Sequence, residues 1–389
     1  MSAASPHLTA SQISPDVYDL LVIPPEARPF AEMRWDRNQL DRNPPTFQKP
    51  EIIGCFSIDP DQTWTDGHKN MKYLHHPGYQ CHLDLNLNRE KTKHKNALDE
   101  KGVVPILQWI QKHQDRFRQE NSKFSLPFDF VVWRGYLTSF FNAPYENREP
   151  FIVVASRHKG TIYVRGKKSA EKVLEVLNMT PQQKILTGYG YKFEQFLMGD
   201  SPQRRPNPSE PLVEGEEFAC VFRSRLGRHR LLYAAEVDGV DSRVPLPNDR
   251  LPQLDNLVEL KTTFEIRNAR QDTNFRKFKL MKWWAQSYLV GIPRIICGYR
   301  NEDGIVRGLE DFNTMTMHRL GKVPQGFWQP NIPMVFALRM LDFIQSCLPH
   351  DDPNKQLAFI WTPGETVKCY DVSGQVEVLP QWYLEMTES

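Results

Sequence analysis

Glu236 and Asp238 stand two residues apart at the end of the apolar run Leu231-Leu232-Tyr233-Ala234-Ala235, and Glu259 and Lys261 stand two apart in Leu257-Val258-Glu259-Leu260-Lys261. Side chains alternate across a strand, so each pair shares one face of its strand. The flanking residues are those of a buried central strand, where an unpaired carboxylate is costly and several together raise one another's pKa. Two readings of the residues stand side by side. In one, the acids gather a hard divalent cation beside a phosphate, with Lys261 aimed at the same spot. In the other, Glu259 or Asp238 forms a structural ion pair with Lys261 and needs no metal. Glu194, in Gly190-Tyr191-Lys192-Phe193-Glu194, offers a further carboxylate on a helix whose glycine would allow close approach to a sheet. Gln286 follows Lys282 by four residues and Lys279 by seven, which puts all three on one helix stripe. That stripe would hold a water or a phosphate oxygen, or else form a solvated face over a tryptophan-rich core.

The elements that must position these residues alternate along the chain. Strands are expected at residues 51–58, 128–134, 217–225, 229–240 and 257–264, with hairpins at 151–164 and from 294 through Asn301-Glu302-Asp303-Gly304. Helices are expected at 105–119, 136–141, 169–178, 181–198, 273–289 and 333–347, and further strands near 357–361 and 366–371. Hairpins among the helices favour a mixed sheet over a purely parallel one. Residues 1–45 read as a mobile or peripheral N-terminal arm and 46–389 as one domain, with little regular structure between about 59 and 100.

At 389 residues, 25% charged and 40% hydrophobic, the composition is that of a soluble globular chain. With 49 basic and 47 acidic residues the net charge is +2, so attraction to nucleic acid must come from local patches. Arg223, Arg225, Arg228 and Arg230 form one such cluster at a hairpin, where a solvated tip is the commoner explanation. Six scattered cysteines without a Cys-x-x-Cys pair argue for reduced thiols rather than zinc or disulfides. No histidine has metal-ligand spacing. No apolar run is long enough to span a membrane, and no export signal is expected.

In order and separation, Gly190-Tyr191-Lys192-Phe193-Glu194, Glu236-Val237-Asp238, Val258-Glu259-Leu260-Lys261-Thr262 and Lys282-Trp283-Trp284-Ala285-Gln286-Ser287 resemble motifs of the DXO family of decapping exoribonucleases. Trp133-Arg134-Gly135 resembles the remaining one. The likeness extends to Gly54-Cys55-Phe56-Ser57, Arg223-Ser224-Arg225-Leu226-Gly227 and Leu379-Pro380-Gln381-Trp382-Tyr383.

The resemblance implies a single α/β domain with two mixed β-sheets flanked by helices and a metal-dependent nuclease-like core. It implies hydrolysis of RNA 5′ ends: removal of incomplete or non-canonical caps (GpppN, NAD, triphosphate) as a unit, and 5′→3′ degradation of 5′-monophosphate RNA. It further implies Mg2+ or Mn2+, as two ions, held by Glu194, Glu236, Asp238, Glu259 and the Leu260 carbonyl. Lys261 and Gln286 would act with the acids in catalysis. Trp133, Arg134, Gly135, Glu236, Lys261 and Gln286 would bind substrate, Arg134 through a bidentate phosphate contact and Trp133 through packing or backbone. The location it implies is the nucleus, with cytoplasm as an addition. Binding and stabilising a larger 5′→3′ exoribonuclease is the alternative role, and DNA endonuclease activity with the same metal geometry is a weaker one. The chain departs from the pattern at Gln62, where an arginine is expected, at Glu100 and Lys101, which compete for an acid's position, and at Ala219, which replaces a cysteine. These departures concern cap preference rather than the acids.

Overall fold

The computed structural model describes residues 13–14, 20–24, 26–96, 98, 102–118, 124–322 and 327–388. Two mixed sheets dominate. The larger has ten strands in the order Ala31–Met33, Val367–Asp371, Asp352–Trp361, Phe151–His158, Thr161–Lys167, Phe130–Trp133, His229–Glu236, Glu217–Leu226, Glu51–Ile58 and Trp64–Asp66. The smaller has seven: Gln80–Asp84, Ile305–Asn313, Arg294–Arg300, Leu257–Phe264, Gly239–Val240, Tyr73–Leu74 and Met198–Gly199. Parallel pairs lie at the middle of each sheet, Phe130–Trp133 beside His229–Glu236 in one and Leu257–Phe264 beside Arg294–Arg300 in the other. Both charged strands are therefore interior, as their apolar flanks imply.

Alternation along the strands builds a layered core. Leu231, Tyr233 and Ala235 join the main cluster, which also takes in Leu257 and Ile295 of the smaller sheet and residues of helices Arg134–Asn142, Leu280–Tyr288 and Asn331–Cys347. Leu232 and Ala234 face the opposite way, onto helices Val104–Lys112 and Gln381–Glu388. On the far face of the smaller sheet, Val258, Leu260 and Ile296 pack against helix Pro181–Leu197. That helix starts at a complete capping box, Thr180 with Gln183, and has proline in its first turn.

The expected single strand over 229–240 breaks at Glu236. Val237 bonds back to Phe218, and Gly239 and Val240 then enter the smaller sheet opposite Val258 and Leu257. A Cβ on Gly239 would lie 2.5 Å from the Lys72 carbonyl oxygen, so the crossing needs glycine. The helix expected over 273–289 begins at Ala269 and contains one π turn, Phe275–Lys279, before Leu280–Tyr288. The 105–119 expectation resolves into Val104–Lys112 and a 3-10 turn at Gln114–Phe117, and its last residue lies outside the described ones. The stretch read as irregular supplies three short strands, Trp64–Asp66, Tyr73–Leu74 and Gln80–Asp84. At the amino end, the described residues from 30 onward are built into the body: Ala31–Met33 pairs at the sheet edge, Trp35 meets Phe336 edge-on at 5.1 Å, and Leu40 is fully buried.

The glycine that lets the Glu194 helix approach the sheet is Gly298 on the strand, not Gly190 on the helix. A Cβ on Gly298 would come within 2.6 Å of the Phe193 ring, whereas Gly190 faces open space. Gly298→Val is expected to cost about 1–3 kcal/mol through overpacking. Gly190→Ala is expected to stabilise the helix by up to about 1 kcal/mol. Urea unfolding of the two variants reads the opposite signs directly.

Candidate active site

The acids converge where the chain passes from one sheet to the other. Glu236 is the last residue of its strand and Asp238 lies in the crossing, accepting the Leu260 N–H at Oδ2, 2.6 Å away. Leu260 lies between Glu259 and Lys261, so this one bond ties the crossing to the second charged strand. Glu259 and Lys261 point to the Leu257 side, and the Lys261 ammonium donates to Glu259 Oε1 at 2.6 Å. Glu194 arrives from the opposite side, on the helix that packs against the Leu257–Phe264 strand. Glu194, Glu236 and Asp238 line one cavity of about 290 Å³, with Tyr191, Lys72, Arg204 and Arg205 in its walls.

Their protonation records the crowding. Burial, then Asp238 and Glu236, pushes the Glu194 carboxyl well above the usual carboxylate range. Burial and Glu259 push Asp238 up to about 7. Glu236 is also raised, by burial and then Glu217, with Lys95 and Arg134 opposing. For Glu259 burial also pulls upward, but Lys261 and Arg134 prevail and hold it low, while Glu259 and Asp238 keep Lys261 charged against its own burial. Glu236 is exposed to the cleft and Glu194 and Asp238 are half-buried. Protein atoms crowd these acids while water still reaches them, which limits what burial alone can do.

Both readings of the strands are thus present in part. Among the described residues, Glu259 is the acid of the four that holds a salt bridge, to Lys261. Also among these residues, no three His, Cys, Asp or Glu side chains are drawn closely enough together to form a ready ion cage. Carboxylates that repel one another come together around a bound cation. The donor set fits one: carboxylate oxygens on converging elements, with three of the four acids pushed toward protonation by burial and by neighbouring carboxylates. The chemistry is that of a hard divalent ion, which Glu194, Glu236, Asp238 and Glu259 would hold.

Arg134 opens the helix Arg134–Asn142 directly after the strand beside His229–Glu236, and its field reaches Glu236 and Glu259. Its Nε is buried with no hydrogen-bond partner. Gly135 is exposed in the first turn. The Trp133 side chain turns to the other face of the sheet, where Nε1 donates to the Gly102 carbonyl at 2.7 Å and the ring meets Phe56, so it packs and leaves the site to its neighbours. Gln286 is half-buried on Leu280–Tyr288, the helix against that of Arg134; among the described residues no hydrogen bond joins it to the acids.

Several neighbours carried no signal in the sequence. Lys95 pairs with Glu217 at 2.5 Å beside Glu236, and Lys72 is held by Asp200 and Glu216 at 2.6 and 3.0 Å. Each joins residues more than a hundred positions apart. Tyr191 was within reach, since it sits in the Glu194 motif; burial and Glu236 push it up to about 12. Ala219 is the residue paired with Glu236, Gln62 sits exposed in a turn at φ 70°, and Glu100 and Lys101 lie outside the described residues. The arginine cluster is a paired hairpin tip: Arg223 is bidentate to Glu51, Arg230 to Asp129, Arg228 meets Asp342, and Arg225 bonds the Gly227 carbonyl. It lies at the opposite end of its strand from Glu236.

In the metal-free protein the folded state keeps a proton on Asp238 that the unfolded chain releases near 3.8, so this group's stabilisation is full below that pH and is lost as pH rises toward about 7. Asp238→Asn keeps an acceptor for Leu260 and is expected to raise Tm by a few degrees at pH 8 in EDTA. Lys261→Met strands a buried carboxylate and is expected to cost on the order of 3 kcal/mol. Thermal unfolding between pH 4 and 8 checks both, with the variant at position 238 lacking part of the wild-type decline.

The RAI1-like PD-(D/E)XK nuclease family matches residues 48–384. The chain is 33% identical over 347 residues to the decapping and exoribonuclease protein of Homo sapiens, covering 88% of this chain and 86% of that one. In fold it is similar to Candida albicans Rai1, whose structure was solved in complex with pU5-Mn2+, at a TM-score of 0.78 and 20% identity over 92% of this chain and all of that one. It is also similar to Scheffersomyces stipitis Rai1, solved with (3′-NADP)+ and calcium, at 0.76 and 22% identity over 89% and 97%.

Proposed function

Because the chain belongs to the RAI1-like PD-(D/E)XK nuclease family, and is a decapping nuclease by that membership, we propose that it hydrolyses phosphate bonds at RNA 5′ ends in a divalent-metal-dependent reaction at the junction of its two sheets. The observation that carries this reading is the meeting, at one crossing of the chain, of three acids with raised pKa and a Glu259–Lys261 pair beside a guanidinium whose Nε has no partner. A purely structural ion pair accounts for Glu259 and Lys261 and leaves Glu194, Glu236 and Asp238 without a reason.

Glu194, Glu236, Asp238 and Glu259 would hold Mg2+ or Mn2+, as two ions, with the Leu260 carbonyl as a further oxygen. Bound there, such ions supply a water of lowered pKa and neutralise charge on the scissile phosphate. The protein's own groups do the rest. Lys261, kept protonated by Glu259 and Asp238, places a fixed positive charge against a phosphate oxygen. Arg134 offers a planar fork with an unpaired Nε, suited to a second phosphate, and the open first turn around Gly135 presents backbone N–H groups to the same anion. Gln286 orients the attacking water from the neighbouring helix.

Substrates of this reading are RNAs that begin with GpppN, an NAD-type dinucleotide, a triphosphate or a monophosphate. The presence of a dinucleotide in the S. stipitis structure and of pU5 with Mn2+ in that of C. albicans supports both the cap and the monophosphate ends. Caps would leave as intact units and monophosphate RNA would be shortened 5′→3′. Purified protein incubated with 5′-labelled capped, NAD-capped and monophosphate RNAs and Mn2+ tests this, with mass analysis of the product. Glu236→Ala/Asp238→Ala is expected to lower the rate at least about a hundredfold; full activity in that variant rejects the reading.

A further inference from the structure

A second cavity, about 490 Å³, opens beside the site and is built from different chemistry. The acid-lined cavity measures about 290 Å³. The larger one is lined by Phe264, Phe275 and Phe278 together with Lys277, Lys279 and Lys282, and Glu146 and Glu265 also stand in its wall. Three elements run from the acids to this groove. The strand Leu257–Phe264 carries Glu259 and Lys261, then Thr263 on the same face, then ends at Phe264 on the groove wall. The helix opened by Arg134 ends at Asn142, whose Oδ1 is buried without a partner in the groove lining. The third element, helix Leu280–Tyr288, carries Gln286 and continues from the π turn that holds Lys279, two turns earlier, which donates to Thr263 Oγ1 at 2.8 Å. At about 3.3 Å per strand residue and 1.5 Å per helix residue, each path covers roughly 10 to 17 Å. The groove is therefore an extension of the site along its own elements.

Its surface is suited to an extended anionic chain with flat, stackable groups. Phe264 is 41% exposed, an uneconomical position for so large a ring unless something covers it. The buried Arg300 guanidinium lies 3.6 Å from its ring centroid, a contact that holds the ring in place. Lys277 is exposed, with its ammonium 5.1 Å from the Phe278 ring. These two residues belong to the π turn Phe275–Lys279, a local widening of the helix of the sort that often accompanies function. Lys282 is held by Glu146 at 2.7 Å, which positions it as part of the wall. A small apolar ligand would not use the ammonium groups beside these rings; a single-stranded nucleic acid uses both, with bases on rings and phosphates on lysines.

We propose that this groove binds the body of the RNA chain beyond the scissile phosphate, with Phe264 and Phe278 as stacking platforms and Lys277 and Lys279 on the backbone. The inference rests on the 5′-end nuclease reading and adds to it a built path for the continuing strand. The smaller acid-walled cavity is left for the terminal group.

The test uses the full chain and two variants, Lys277→Glu/Phe278→Ala and Phe264→Ala. Binding of a fluorescein-labelled single-stranded RNA of about 20 nucleotides is followed by anisotropy in EDTA, so the readout is independent of catalysis. Affinity is expected to fall about tenfold or more in each variant, with a shallower salt dependence for the one lacking Lys277. With Mn2+, KM for the same RNA carrying a 5′-monophosphate is expected to rise while kcat/KM for the dinucleotide pUpU stays within about twofold. Unchanged affinity, or an equal loss on long RNA and dinucleotide, overturns the proposal. Wild-type protein that binds the RNA through the groove but cleaves neither substrate rejects the nuclease reading while leaving the binding path in place.

Discussion

Repulsion among carboxylates is the constraint around which the rest of this structure is arranged. Glu194, Glu236, Asp238 and Glu259 all face one junction, and the positive groups that act on them, the ammoniums of Lys261 and Lys95 and the guanidinium of Arg134, do not offset their crowding. The shortfall of positive charge appears as raised pKa for three of the four acids and as spacing too wide for a ready cage among the described residues. A protein keeps such a group together only when the elements that carry it are held by something stronger than the repulsion.

That holding force is burial. The two charged strands lie inside their sheets, flanked by residues that are almost wholly excluded from water, and the Glu194 helix is locked to the smaller sheet by Phe193 over Gly298. The crossing at Asp238 is pinned by one backbone hydrogen bond to Leu260 and by the tight passage of Gly239 over Lys72. Each acid therefore comes from a separately anchored element. The place where a cation would bind is thus set by anchored strands and a helix rather than by a flexible loop.

Much of this was legible in the sequence. Apolar flanks around Glu236, Asp238, Glu259 and Lys261 marked interior strands, and the motif register pointed to Glu194 and Arg134, whose charges act on the same centre. The switch of sheets at Glu236 was hidden because an alternating pattern continues unchanged when a strand leaves one sheet for another. The close approach under Glu194 was assigned to Gly190 because the helix motif contains that glycine, whereas the contact depends on a residue of a strand a hundred positions later. Lys72, Lys95 and their acidic partners are ordinary surface residues until the fold joins them. The arginine cluster at 223–230 is the solvated hairpin tip that its position favoured; what the sequence hid is that Glu51, Asp129 and Asp342 lie opposite it. The basic and aromatic residues of 264–282 are dispersed over a strand end and a π turn, and nothing in their spacing announces a groove.

The central claim is that the converging acids are a divalent-cation site. Calorimetric titration of Mn2+ into the protein at pH 7, repeated in buffers of different ionisation enthalpy, addresses it directly, because acids with raised pKa must release protons as the ion binds. The account predicts saturable binding with net proton release, abolished in Glu194→Gln/Asp238→Asn. Absence of binding in the wild-type protein, or identical binding in the variant, would contradict it.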